Sequence, residues 1–224
     1  MPNAPAPHVT IRDLPHNLLH DQVAIWTSPS RLRSSNIAGP AALVLATALV
    51  ITTDHQVMSS PRLVNPALNQ HAATASNGLV GGFVAAPVLF YGLGRIHHDH
   101  HATETGILAA EAIGDSLAVN EVIKSISLRE RPTIDNAHGR FFQTSVGFDS
   151  SFPSNHAIVA WSSASVIASE YPGFLTRLTV YGLATGVDVA RVVGREHFPS
   201  DVLVGSALGW MIGRYVFHRH AKSF

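Results

Sequence analysis

Three short stretches of this chain set charged and imidazole side chains at fixed intervals: Lys124-x6-Arg131-Pro132 in "KSISLRERP", Pro153-Ser154-Asn155-His156 in "SFPSNHA", and Arg191-x5-His197-x3-Asp201 in "ARVVGREHFPSD". Together they supply what the hydrolysis of a phosphate ester needs in the absence of a metal. Fixed cations and amides must hold the charge on the equatorial oxygens, a nucleophile must attack in line, and an acid must protonate the leaving oxygen. Lys124, Arg131 and Arg191 are three cations able to surround one phosphoryl group, and the planar fork of arginine suits bidentate contact with its oxygens. Pro153 and Ser154 predict a helix start whose free amides form an anion site, with the Ser154 hydroxyl as a further donor.

Their neighbours divide the roles of the two histidines. Asp201 follows His197 by four residues, with Pro199 in the expected first helical turn, so its carboxylate is placed to reach back to one ring nitrogen. Holding that proton leaves the other nitrogen unprotonated and nucleophilic. His156 has no such carboxylate and sits beside the phosphate-binding amides, where anionic oxygens favour its protonated form, the form a general acid requires. The expected intermediate is a phosphohistidine on His197 that water later hydrolyses.

The order of these motifs resembles that of the type 2 phosphatidic acid phosphatase (PAP2) superfamily, which includes membrane lipid phosphatases, bacterial acid phosphatases and vanadium haloperoxidases. The resemblance covers about residues 106 to 217. It implies an α-helical bundle, a histidine nucleophile and no metal or other cofactor in the phosphatases. Carried over by position, it implies phosphate binding by Lys124, Arg131, Ser154 and Arg191, acid catalysis by His156, nucleophilic attack by His197 and orientation by Asp201. Two positions depart from the pattern: Asn155 stands where the family usually has glycine, and Ala190 where it usually has serine. Asn155, taken as a further phosphate-binding position, either narrows the pocket or adds an amide contact. Asparagine tolerates left-handed backbone angles well enough to keep the turn.

The bulk composition says where such a site would sit. Only 13% of residues are charged, about half the globular average of roughly 25%, which favours a membrane setting. Fifteen basic residues balance fifteen acidic ones, so no general field draws the protein to nucleic acid. The absence of cysteine excludes disulfides, thiolate metal sites and a cysteine nucleophile. The first 35 residues lack the basic start, apolar core and cleavage site of a signal peptide, and none is expected.

These motifs must be positioned by helices, since no convincing alternating strands, repeats or long linkers are present. Residues 34–53 and 72–94 carry no charge and are long enough to span a bilayer, which takes about 20 mainly apolar residues. Residues 106–126, 156–169, 175–189 and 202–217 are shorter or interrupted, the first of them by Glu111, Asp115 and Glu121. The expected fold is an all-α, single-domain bundle of about six main helices over residues 36–224, transmembrane, preceded by a polar and amphipathic segment over 1–35. In that segment Asp13 and Pro15 look like a helix cap and first-turn proline. Leu19, Val23 and Trp26 fall on one face, which either lies at a bilayer interface or packs on the core. Clustered Gly205, Ala207, Gly209 and Gly213 suit close helix packing.

With six spans, the termini and the connections on their side hold Arg12, Arg31, Arg33, Arg95, Arg177, Arg214, Arg219 and Lys222. The other side holds Arg62, Arg129, Arg140 and Arg195 beside the three site cations. That bias favours cytoplasmic termini and an external site, as in a bacterial inner membrane. The leading expectation is thus an integral membrane phosphatase acting on a lipid phosphate or prenyl pyrophosphate. The alternatives are a soluble or secreted acid phosphatase of the same mechanism, a haloperoxidase with vanadate on His197, and an inactive membrane binding protein with a relic pocket.

Two further features stay ambiguous in the sequence. "RIHHDHHATE" gathers His97, His98, Asp99, His100, His101 and Glu104, enough ligand types for zinc or nickel, although histidines are also common in exposed polar loops. Phe141, Phe142, Phe148 and Phe152 either line an entrance for an acyl or prenyl chain or serve as packing.

Overall fold

The chain folds, in a computed structural model that describes residues 9–221, as helices alone: α1 (Leu14–Thr27), α2 (Ala38–Met58), α3 (Pro66–His97), α4 (His100–Ser127), α5 (Asn155–Glu170), α6 (Phe174–Val193) and α7 (Pro199–His220), with short 3-10 turns between them and no strand among the described residues. Lys222 and the side chain of Phe148 lie outside the described residues. The six expected main helices are α2 to α7, each extending past the apolar stretch that betrays it at one or both ends.

Local chemistry sets the boundaries. Asn65 caps α3, its Oδ1 accepting from the Leu68 amide at 3.2 Å ahead of Pro66 at the first helical position. His98 takes left-handed angles and Asp99 Oδ1 accepts from the Ala102 amide at 3.0 Å, so the histidine-rich stretch is the corner between α3 and α4. Leu128, also left-handed, ends α4 one turn after Lys124. Ser154 caps α5. Pro199 opens α7, where Asp201 Oδ2 accepts from the Phe198 amide at 2.8 Å.

Helices α5 and α7 pack most closely. Cβ atoms at Gly205 and Gly213 would fall 2.8 Å from the Ser154 carbonyl oxygen and 2.5 Å from that of Ser162, and one at Gly209 would meet the Ile158 carbonyl. Gly209→Ala is therefore expected to cost about 1–3 kcal/mol by forcing the two backbones apart, read as a lowered midpoint in thermal unfolding, whereas Gly78→Ala on α3, where nothing lies within 4 Å, is expected to be silent.

The interior is small and polar to an unusual degree, with Ser116, Asn120, Ser162, Ser163 and Ser165 fully buried beside Ala112, Ala160 and Ala164. Large apolar side chains face outward instead, including Val44, Leu45 and Leu49 on α2, Val88, Leu89 and Ile96 on α3, and Leu175 and Leu178 on α6. Both α2 and α3 are long and apolar enough to cross a membrane. Helix α1 follows the same inverted plan. Its Leu19, Val23 and Trp26 are 73%, 64% and 45% exposed, while Asn17, Asp21 and Gln22 bond to α4 and α7 and Leu18 and Ile25 pack inward beside them.

Candidate active site

The site forms at one end of the bundle, where α4 ends and α5 and α7 begin, around residues 149–154. That loop is pinned to the chain just after α4: the Ser151 amide donates to the Arg129 carbonyl at 2.8 Å, the Arg129 amide to Ser150 Oγ at 3.0 Å, and Ser127 Oγ to the Phe152 carbonyl at 2.7 Å. The Ser154 amide donates to the Asp201 carbonyl at 3.1 Å, which ties the start of α5 to α7. Through these bonds the three motifs, far apart in sequence, come together.

Lys124 is almost fully buried, and its ammonium donates to the Ser150 carbonyl. Arg131 reaches in from the other side, donating from Nε and Nη2 to Asp149 Oδ1 at 2.9 and 2.7 Å and from Nη1 to the Glu196 carbonyl at 3.0 Å. Arg131 in turn holds the Asp149 carboxyl below the usual carboxylate range. Arg191, on the last turn of α6, donates from Nη2 to Glu196 Oε2 at 3.2 Å and from Nη1 to Ser76 Oγ and Asn77 Oδ1 at 3.3 Å each. Its Nε is buried with no hydrogen-bond partner among the described residues. An unsatisfied guanidinium N–H in a dry site is a strong anion donor. The Glu196 carboxylate also lies 3.8 Å from Arg131, so it bridges two of the three cations as a phosphoryl group would.

His156 occupies the first turn of α5, where helix amides lack intrahelical partners, and its Nε2 donates to Asn77 Oδ1 at 2.9 Å. His156 lies within reach of the charges of Arg191, His197, Arg131 and Lys124. Ser154 is buried, and its Oγ accepts from the Ala157 amide at 3.4 Å, which leaves the hydroxyl proton to donate. Asn155 turns the other way. Its amide nitrogen donates to Glu121 Oε1 at 3.2 Å and its oxygen accepts from Asn120 Nδ2, so its side chain is committed to α4 and what it offers an anion is its backbone N–H. With its side chain directed to α4, Asn155 also gives the buried Asn120 amide an acceptor it would otherwise lack.

His197 sits in the turn between α6 and α7 and is 2% exposed. Its Nδ1 donates to the Ser151 carbonyl at 2.8 Å, while Asp201 Oδ2 lies 3.5 Å off. Asp201, expected to hold this proton, is the more distant acceptor; the closer one is a backbone carbonyl, and Asp201 supports it by taking the Ser151 hydroxyl at 2.5 Å. Either acceptor fixes the same tautomer, with the lone pair on Nε2. Burial holds the His197 ring below the usual histidine value, against the opposing pull of Asp201.

Behind Asp201 stands a charge network that the motifs do not announce. Arg129 donates from Nη1 to Asp201 Oδ1 at 2.6 Å and to Ser200 Oγ at 2.7 Å, from Nη2 to Asp54 Oδ2 of α2 at 2.7 Å, and from Nε to the Gly139 carbonyl at 3.2 Å. Its guanidinium carbon lies 4.6 and 4.1 Å from the ring centres of Phe141 and Phe198. Gly139 has a φ of +60°, and a Cβ there would fall 2.5 Å from Phe198, so only glycine closes this wall. Of the aromatic cluster, Phe141 packs on Arg129 and Phe152, whereas Phe142 is 71% exposed.

Sequence spacing missed Asp54, Ser76, Asn77, Arg129 and Ser151. Ser76 and Asn77 carried a signal, as adjacent polar residues within a largely apolar run. The histidine-rich corner does not converge: among the described residues its ligand atoms form no metal-holding group, Asp99 caps α4, and His101 pairs with Glu170 at 2.8 Å.

A solved structure described as a transmembrane PAP2 type phosphatidylglycerolphosphate phosphatase from Bacillus subtilis superposes on this fold with a TM-score of 0.59 and 23% identity, covering 83% of this chain and 98% of that one. No curated protein matches the sequence. The model of the PAP2 superfamily matches residues 105–224, a segment that contains Lys124, Arg131, Ser154, His156, Arg191, His197 and Asp201 at the geometry described above. Since that match takes in more than half of the 224 residues, the chain belongs to the PAP2 superfamily and is a phosphoric ester hydrolase of that type.

Proposed function

We propose that the protein is an integral membrane phosphatase that hydrolyses a lipid phosphate or prenyl pyrophosphate through a phosphohistidine on His197. The observation that carries this reading is the His197 ring, buried and held by Nδ1 on the Ser151 carbonyl, beside three cations on separate elements. Nε2 attacks phosphorus as the P–O bond to the lipid breaks, and the proton on His156 passes to the leaving oxygen. Water then attacks phosphorus, giving its proton back to His156 as the P–N bond breaks and inorganic phosphate leaves. The anion itself lets His156 hold a proton beside Arg191, because its oxygens offset the guanidinium charge. Lys124, Arg131 and Arg191, with the first amides of α5, balance the charge that builds on the equatorial oxygens.

A lipid substrate is supported by the outward apolar faces of α2, α3 and α6 and by the apolar outer face of α1, which suits a headgroup boundary. The description of the Bacillus subtilis neighbour points the same way. The bias of basic residues supports cytoplasmic termini and a site on the outer face. The test is phosphate release from phosphatidic acid, a prenyl pyrophosphate and p-nitrophenyl phosphate in detergent micelles with EDTA present. Release that survives EDTA and prefers a lipid supports the reading; release of p-nitrophenyl phosphate alone would overturn the lipid assignment, and dependence on added metal would overturn the mechanism.

The acidic limb of the pH profile gives a further check. His197 must be neutral to attack, and its burial favours the neutral ring, so kcat/KM is expected to hold as pH falls through the ordinary histidine value of about 6.5 and to decline only below it. The profile is read after correction for the ionisation of the substrate phosphate. A decline centred above about 6.5 would contradict the buried nucleophile.

A further inference from the structure

At the opposite end of α7, about 30 Å from His197 at 1.5 Å per residue, three helices bring together Asp21 of α1, Glu111 of α4 and His220 of α7, and we propose that these residues form a second site that binds one divalent transition-metal ion of the zinc class. One ligand atom from each lies within 4.8 Å of the other two. His220 Nε2 is 2.8 Å from Asp21 Oδ2 and 3.2 Å from Glu111 Oε1. Asp21 and Glu111 have no exposed surface.

Two observations point to a cation. The first is the convergence of two carboxylates on one ring nitrogen. That nitrogen carries a single proton or a single lone pair, so it cannot give both carboxylates a full hydrogen bond. It serves Asp21: Glu111 Oε1, buried and facing the same nitrogen, makes no hydrogen bond among the described residues. A metal at this point uses the nitrogen lone pair and both oxygens together. The second is charge. Asp115, one turn along α4, is also fully buried, its Oδ2 makes no hydrogen bond, and it lies within reach of the charges of Asp21 and His220. Three buried carboxyl groups thus lie within reach of one imidazole, with Arg219 exposed beside it.

The outer partners are those of a built metal site. Tyr215 donates to Asp21 Oδ1 at 2.9 Å and Asn17 to Glu111 Oε2 at 3.2 Å, each fixing the carboxyl oxygen turned away from the proposed ion, while Gln22 donates to Asp115 Oδ1 at 2.8 Å. Zinc ligands about 2.1 Å from the ion in tetrahedral array are about 3.4 Å apart, so closure needs side-chain shifts of about an ångström. The bound ion would staple α1, which lies outside the segment matched by the family, onto α4 and α7. The donor set of one imidazole and two carboxylates suits zinc, cobalt or manganese better than calcium or magnesium.

The full-length protein in detergent, stripped with EDTA and dialysed, is titrated with Zn2+ by calorimetry and with Co2+ by absorption spectroscopy. One tight equivalent is expected, with a raised unfolding temperature, and His220→Gln and Asp21→Asn are each expected to weaken it by more than about tenfold. His97, His98 and His100 changed together to serine are expected to leave it intact, which separates this site from the histidine-rich corner. The absence of a tight equivalent, or one that persists in His220→Gln and Asp21→Asn, would overturn the proposal; in the first case a proton shared between Asp21 and Glu111 is the occupant. Phosphate release by the stripped protein reports on the other end of the bundle and decides nothing here.

Discussion

Replacing His197 by alanine is expected to lower phosphate release by at least about 10^4-fold with every substrate, because it removes the nucleophile itself. His156→Ala is expected to behave differently. A general acid contributes about 10^2 to 10^4-fold, and its contribution shrinks as the leaving group needs a proton less. The loss should therefore be large for a lipid alkoxide and small in the first step for p-nitrophenolate. With p-nitrophenyl phosphate, His156→Ala should consequently release a burst of nitrophenol and accumulate phosphate on His197, since the same imidazole is needed to activate water. Acid-labile label on the protein, measured after quenching at high pH, checks this. Equal losses for both leaving groups, with no trapped phosphate, would reject the division of labour between the two rings. The geometry that motivates it is the hydrogen bond from His156 to Asn77 Oδ1, 2.9 Å long, which holds the ring at the mouth of the cation cluster without engaging a carboxylate.

The second large effect is expected from a residue that touches no substrate. Arg129 joins Asp54 and Asp201 with bonds of 2.7 and 2.6 Å in a site where all three are buried. Removing Arg129 leaves two buried carboxylates without their cation, so Arg129→Met is expected to cost about 3–5 kcal/mol of stability, whereas Asp54→Leu leaves Arg129 paired with Asp201 and is expected to cost about 1–3 kcal/mol through the donors of Arg129 and Ser200 that lose their acceptor. Lysine is a poor substitute for Arg129, because one ammonium cannot reproduce four bonds made in a planar fork between two aromatic rings. The informative variant is the double one. Asp54→Leu with Arg129→Met removes the Asp54–Arg129 pair together and should recover part of the stability lost in Arg129→Met, because one buried carboxylate, Asp201, rather than two is left without its cation. Turnover should stay low, because Asp201 loses the guanidinium that fixes the oxygen opposite Ser151, and with it the carbonyl on which His197 rests. Unfolding curves and kcat, measured on the single and double variants, separate the two roles. Turnover that returns in step with stability would mean that Arg129 is structural only.

What the sequence determined by itself is local. Helix number and order are written in runs of apolar residues and in caps such as Asn65, Asp99 and Ser154, whose effect reaches one turn along the chain. The three motifs are legible for the same reason, since each lies at a helix end and within a dozen residues, where spacing sets geometry. The tertiary structure alone decided which groups those motifs meet. Asp54 lies 75 residues from Arg129, and Asn77 lies 79 from His156 and 114 from Arg191, separations that no helical period relates. The partner of His197 Nδ1 is a backbone carbonyl, which every residue carries and no side-chain pattern marks. Asn155 shows the converse. Its type and place in the motif suggested a phosphate contact, yet Asn120 and Glu121 on the neighbouring helix hold its amide. A buried charge or amide is costly unless it is paired, and where the helices cross decides which partner it meets.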